Sequence, residues 1–209
     1  SHTPAKKLLL EGAHIDDKIL GTINKITDFQ ELYIVFSAAT DKGLECLHYF
    51  PQLTTLVLRI DALTEVGLEQ VSALKHLRRL VVRADDVAET FFHSVSALTE
   101  LEELSIRQID LRGDGLASLS HLTNLKRLHL SAYSDNSKPN FSTYKKKVKL
   151  IIGDLPRLEE MSLRSDGATI ELHDLPKLKV LDASNNSVSD KGFIGIDRLT
   201  SLETLHLKG

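Results

Sequence analysis

The stretch Leu53-Thr-Thr-Leu56-Val-Leu58-Arg-Ile-Asp-Ala-Leu63-Thr-Glu-Val-Gly67-Leu68-Glu-Gln-Val71-Ser-Ala-Leu74 changes its hydrophobic period halfway. In the first half Leu56 and Leu58 share one face and Val57 and Arg59 the other, the period of a short strand. In the second half Leu68, Val71, Leu74 and Leu77 fall three apart, which predicts a one-sided short helix or tight helical turn. The strand half, written apolar-x-x-apolar-x-apolar, recurs every 24 residues around Leu8, Leu32, Leu56, Leu80, Leu104 and Leu128. It returns after 33 residues at Met161, after 20 at Leu181 and after 24 at Leu205. A fixed period of this size predicts stacked repeats, because one such unit cannot bury its apolar side alone.

The helical ladder recurs as Leu20, Ile23, Ile26, Phe29, as Phe92, Val95, Leu98, Leu101, as Leu116, Leu119, Leu122, Leu125 and as Phe193, Ile196, Leu199, Leu202. Eleven residues after the key leucine stands a glycine, at Gly43, Gly67, Gly115 and Gly192. The expectation is that it frees the backbone to turn from strand to helix at positive φ. The acid just before it (Asp41, Glu65, Asp114, Asp190) is expected to cap or charge-stabilise the start of its own helix.

Of 209 residues, 42% are apolar and the net charge is -3, which gives no global reason to expect nucleic acid or an acidic membrane as a partner. One cysteine, Cys46, makes an internal disulfide impossible, and no apolar stretch is long enough to span a bilayer. The default expectation is a cytoplasmic protein without a membrane partner, in which the triplets starting at Asn140 and Asn185 are chance matches to a glycosylation signal.

These residues resemble the leucine-rich-repeat family across nearly the whole chain. The nearest variant is the 24-residue type with a Thr-Asp-x-Gly-Leu turn, written here as Thr40-Asp-Lys-Gly-Leu44 and Ser189-Asp-Lys-Gly-Phe193. It is similar to bacterial repeat proteins and to the repeats of F-box substrate receptors. The resemblance implies an α/β solenoid of about nine repeats, curved, with parallel strands on the concave side and short helices and turns on the convex side. It also implies recognition of a protein partner.

The segment 134–149 carries the extra residues of the long interval, lacks the helical ladder and includes Pro139 and a basic run, Lys145, Lys146, Lys147 and Lys149. It reads as a protruding, solvated loop. The unit from Ser165 to Leu178 is four residues short and is expected to replace its helix with a tighter turn. Residues 1–209 form one repeat domain in this reading, and because neither end carries a polar cap the expectation is a portion of a larger protein.

Equivalent strand positions make columns across the sheet, about 4.8 Å per rung. One column runs Leu9, Tyr33, Val57, Val81, Ser105, His129, Ser162, Asp182, His206, apolar in its first half and polar in its second. It is either a partner-binding stripe or a set of side chains covered by their neighbours. A second runs Glu11, Val35, Arg59, Arg83, Arg107, Ser131, Arg164, Ser184, Lys208. Its arginines suit carboxylates or phosphates, unless Asp61, Asp85, Asp110 and Asp166 neutralise them locally. A third alternates Arg79, Glu103, Arg127, Glu160 and reads as a self-satisfied network.

Ser162, Asp182 and His206 are the residue types of a hydrolytic triad, but the column order puts the acid between the other two. His48, His76 and His121 fall in separate convex-side turns, and neither a phosphate-binding glycine loop nor a zinc-type Cys/His cluster is present. The expected function is therefore non-catalytic recognition of a protein partner, with no cofactor and no metal. The candidate contact residues are Tyr33, Val35, Val57, Arg59, Val81, Arg83, Arg107 and His129. Two other readings follow from the resemblance: the substrate-reading part of a ubiquitin-ligase receptor, or an accessory domain of an enzyme whose catalytic part lies outside residues 1–209.

Overall fold

The computed structural model of the chain describes residues 6–26, 29–87, 89–109, 114–132, 149–165, 168–184 and 193–207. Twelve strands follow in chain order: β1 (Lys7–Glu11), β2 (Glu31–Val35), β3 (Thr55–Arg59), β4 (Arg79–Val87), β5 (Glu103–Ile109), β6 (Arg127–Ala132), β7 (Lys149–Gly153), β8 (Glu160–Arg164), β9 (Thr169–His173), β10 (Val180–Asp182), β11 (Phe193–Ile194) and β12 (Thr204–His206). Nine of them make one parallel sheet in the order β1-β2-β3-β4-β5-β6-β8-β10-β12. Its register pairs each key residue with the next, Leu8 with Leu32, Leu32 with Leu56, and so on through Met161 and Leu181 to Leu205. The fold is a leucine-rich-repeat solenoid.

The ladder residues complete each unit, more tightly than an α-helix would. Only three four- to five-residue α-helices form, α1 (Asp17–Leu20), α2 (Glu65–Glu69) and α3 (Phe91–Val95), among the described residues. Elsewhere the backbone is 3₁₀, over Asp41–Tyr49, Gln70–Ala73 and Asp114–His121. Three residues per turn is the spacing of Leu44, Leu47 and Phe50, so all three point inward along one edge. With the strand leucines they form one apolar cluster from Ile15 to Leu199.

The glycines of the turn act differently from the sequence expectation, while Asp41 and Glu65 stand in the first turn of their own helices as expected. Gly43, Gly67 and Gly115 do not adopt positive φ. They are needed for close approach: a Cβ on Gly67 would strike Asp41, one on Gly43 would strike Asp17, and one on Gly115 would strike Glu89, each an acid of the preceding repeat. Asp41 therefore faces forward along the stack. Its carboxylate accepts the backbone N–H of Thr64 at 2.8 Å and the hydroxyl of Thr64 at 2.6 Å. Asp17 binds Thr40 the same way, both contacts at 2.7 Å. Gly192, Asp190 and the triplets at Asn140 and Asn185 lie outside the described residues.

The second half of the convex side departs from the expected turns. β7, β9 and β11 make a second parallel sheet, β11-β9-β7. Lys149 thus belongs to a strand and its Nζ pairs with the Glu171 carboxylate, while residues 134–148 lie outside the described residues. The short unit contains β9 where a tighter turn was expected. Both strands alternate, with Leu150, Ile152, Ile170 and Leu172 buried, as strands with one face on the core require.

Candidate partner-binding face

The columns form as the residue spacing predicts. Tyr33, Val57, Val81, Ser105, His129, Ser162, Asp182 and His206 occupy successive rungs, as do Val35, Arg59, Arg83, Arg107, Ser131 and Arg164. A concavity of about 400 Å³ lies over them, bounded by Arg59, Arg83, Arg107, His129, Glu160 and Asp182 among others.

The apolar stripe is more covered than its composition suggests. Val57 is 5% exposed and Val35 8%, so both are floor rather than contact surface. Tyr33 and Val81 are half-buried. The Tyr33 hydroxyl donates to Glu31 at 3.2 Å, and Lys7 Nζ lies 4.1 Å from the ring centroid, a cation–π arrangement. Leu9 is the freely exposed member of the column's apolar half.

Charges alternate in two columns and agree in sign in a third. Arg78 and Lys126 flank Glu102, with ion pairs of 3.6 and 2.8 Å. Arg79 and Arg127 flank Glu103, at 2.9 and 3.0 Å. Burial works to raise the Glu103 carboxyl, but hydrogen bonds from Arg79 and Arg127 outweigh it and hold the group below the usual range. In the remaining column Arg59, Arg83 and Arg107 are exposed, and no ion pair among the described residues engages them. Arg83 Nε donates to Gln108 Oε1 at 3.0 Å. Asp61 is described and forms no such pair; Asp110, Asp166 and Lys208 lie outside the described residues, as does the side chain of Asp85.

Burial, then Arg107 and Arg164, lower the pKa of His129, against the opposing pull of Asp182. The half-buried ring is thereby kept neutral beside a cationic column. Asp182 is itself held low by hydrogen bonds from Ser184, whose N–H lies 2.9 Å from Oδ1. Register sets Asp182 opposite both Ser162 and His206, so the serine and histidine stand two rungs apart, about 9–10 Å. That separation is too long for proton transfer between them.

Phe36 was not among the sequence candidates. It follows β2 with φ 53, a conformation that costs a bulky residue about 1–2 kcal/mol. Its ring is 58% exposed, whereas Ile60 and Ala84, one and two rungs further on, are fully buried. Its backbone N–H donates to Arg59 O at 2.8 Å, which seats it at the end of the arginine column. Gln108 takes the same left-handed turn, with φ 61. The only sequence signal is a large aromatic at a position where the first repeat has Gly12.

Asp154, His173 and Asp174 offer three ligand-type atoms within 4.8 Å of one another. Both carboxylates are exposed and His173 Nδ1 already lies 3.2 Å from Asp174 Oδ2, so the set is an open corner rather than a closed cage.

A nine-stranded parallel sheet with short helices and 3₁₀ turns between its rungs defines a leucine-rich-repeat solenoid. No family model and no curated protein matches the chain. Among solved structures it is similar to an internalin C2 from Listeria monocytogenes, at 16% identity and TM-score 0.63 over 97% of this chain and 80% of that one. It is also similar to the functional domain of InlJ from Listeria monocytogenes, at 19% identity and TM-score 0.53 over 88% of this chain and 41% of that one. The InlJ domain includes a cysteine ladder; this chain, with one cysteine, has none. These likenesses concern the fold. No helix among the described residues is long and apolar enough to cross a membrane.

Proposed function

We propose that the chain is a non-catalytic module that recognises a protein partner through its concave sheet face. The same-sign rungs Arg59, Arg83 and Arg107 carry this reading. Stacked guanidinium groups repel one another; the neighbouring columns alternate them with acids, whereas this one places no acid between Arg59, Arg83 and Arg107. A partner that supplies the missing acids completes the pattern. Tyr33 and Val81 add apolar contact, Val35 and Val57 form the floor beneath them, and His129 marks the polar half of the face. We assign the repeats to the 24-residue type with a Thr-Asp-x-Gly-Leu turn, on the Asp17–Thr40 and Asp41–Thr64 contacts. The whole of 1–209 is one domain in this reading, and the lone buried Cys46 fits a reducing, cytoplasmic setting.

The test compares the wild-type chain with a Tyr33→Ser, Arg83→Glu double variant, each used to capture proteins from native lysate for mass spectrometry. Both side chains stand on the concave face outside the buried spine, so the variant should keep its circular dichroism and melting point while losing specific captured proteins. Identical capture by a well-folded variant would remove this face from consideration.

A further inference from the structure

We propose that the segment held on this face is an acidic peptide carrying an apolar residue, with its carboxylates on Arg59, Arg83 and Arg107 and its apolar side chain on Phe36. The inference rests on the concave-face reading and adds the chemistry of the occupant. Two independent observations meet here. The first is charge: the chain is net negative at -3, yet these three consecutive rungs are all cationic, exposed and without an ion pair among the described residues. Arg83 Nε donates to Gln108 Oε1 at 3.0 Å, a bond that does not use the two terminal nitrogens with which a guanidinium forks onto a carboxylate.

The second observation is Phe36. Its ring stands in solvent at 58% exposure on a left-handed backbone, one rung before Arg59. A left-handed backbone and an exposed aromatic meet at this one residue, and such outliers concentrate at binding sites.

Phe36, Arg59, Arg83 and Arg107 thus occupy four successive rungs, about 14 Å from end to end. An extended peptide places alternate side chains about 6.8 Å apart on one side, so one apolar residue followed by two acids covers this length, and a third acid lets the carboxylates settle in more than one register. Nucleic acid fits less well. Its continuous phosphate charge would run onto Glu103, Glu160 and Asp182 at the same concavity.

The probe is a fluorescein-labelled peptide in which a leucine is followed by three glutamates at alternate positions, read by fluorescence anisotropy on the full chain. The expected result is saturable binding that weakens steeply with salt, and that falls at least tenfold in Arg83→Glu and in Arg59→Glu. Phe36→Gly supplies a second variant that cannot fail by unfolding, because glycine relieves the left-handed turn. It should melt higher and bind several-fold more weakly. Replacing the glutamates by glutamines should abolish binding, and replacing the leucine by serine should remove the difference between wild type and Phe36→Gly.

Equal binding of the glutamine peptide, or tighter binding of a single-stranded oligonucleotide of the same charge, would overturn the proposal. So would the absence of any peptide binding. If that absence is accompanied by continued loss of captured protein in the Tyr33→Ser, Arg83→Glu variant, only the acidic chemistry fails and the concave face stands; if capture is also unchanged, both fail.

Discussion

Asp41 and Thr64 belong to neighbouring repeats, and the acid caps the turn of the next unit rather than its own. One carboxylate oxygen accepts the Thr64 N–H at 2.8 Å and the other its hydroxyl at 2.6 Å. Thr64 in turn caps α2 through the Val66 N–H at 3.3 Å. The relay fastens one rung to the next at the place where the chain leaves the strand, as Asp17 does for Thr40.

Hydrogen bonds to a charged group are worth about 1.5–3 kcal/mol each, less where water competes. Asp41→Ala should therefore lower stability in urea by about 1–3 kcal/mol. A double-mutant cycle with Thr64→Ala should show coupling of at least about 0.5 kcal/mol. Simple additivity in that cycle would mean the contact contributes nothing.

The glycine contacts separate two kinds of close approach. A Cβ on Gly43 would meet only side-chain atoms, those of Asp17, Leu20 and Ala39, whereas one on Gly67 would meet the Asp41 Cα at 2.7 Å. Either alanine substitution should cost about 1–3 kcal/mol. The cost of Gly43→Ala should shrink in an Asp17→Ala background, while that of Gly67→Ala should persist in Asp41→Ala, because backbone cannot be trimmed away. Equal rescue in both pairs would contradict this geometry.

Position in the stack should decide how much a key leucine matters. Leu80 is fully buried between two rungs, so Leu80→Ala should cost about 2–5 kcal/mol by thermal or urea denaturation. Leu205 in β12 is 41% exposed, and Leu205→Ala should cost well under half as much. Comparable losses at both positions would argue against a shared spine.

Acid should loosen the Glu103 network. The folded carboxyl titrates below its ordinary value, so its contribution is present above the unfolded pKa of about 4.3 and is lost as pH falls through the lower folded value. Glu103→Gln should flatten the acid limb of the stability profile and do little at pH 7 in high salt. His129 acts in the same direction at milder pH. Its folded pKa is lowered, so stability declines as pH falls below about 6.5, where the unfolded ring takes up a proton that the folded ring refuses. His129→Gln should remove that decline; a decline that persists unchanged assigns it to other groups.

Cys46 is buried and its thiol pKa is pushed up to about 12 by desolvation. It should not react with Ellman's reagent at pH 8 in the native chain and should react fully in urea. Rapid labelling of the native chain would place it in a region that opens locally.

The strand register, the buried spine and the surface columns were all legible in the leucine spacing. Repetition is what made them so. A period-two alternation fixes which side chains face inward, and a 24-residue repeat fixes which residues stand side by side, so Arg59, Arg83 and Arg107 could be aligned before any coordinates existed. The inward ladder of Leu116, Leu119 and Leu122 was legible for the same reason, although its 3₁₀ winding was not, since short helices of either kind share that spacing.

Tertiary structure decided whatever depends on contacts between rungs. Asp41 reaches Thr64 across 23 residues, and the space for it exists only because Gly67 lacks a side chain. Whether residues 149–153 and 169–173 form strands depends on each having the other to pair with, which no local pattern supplies. Val57 is covered and Phe36 uncovered because of neighbours one rung away and a left-handed turn, although both are apolar residues at the same end of a unit. Periodicity is a property of one chain read along its length, whereas exposure, pairing and charge balance are set across the stack, where the partners are two dozen residues apart.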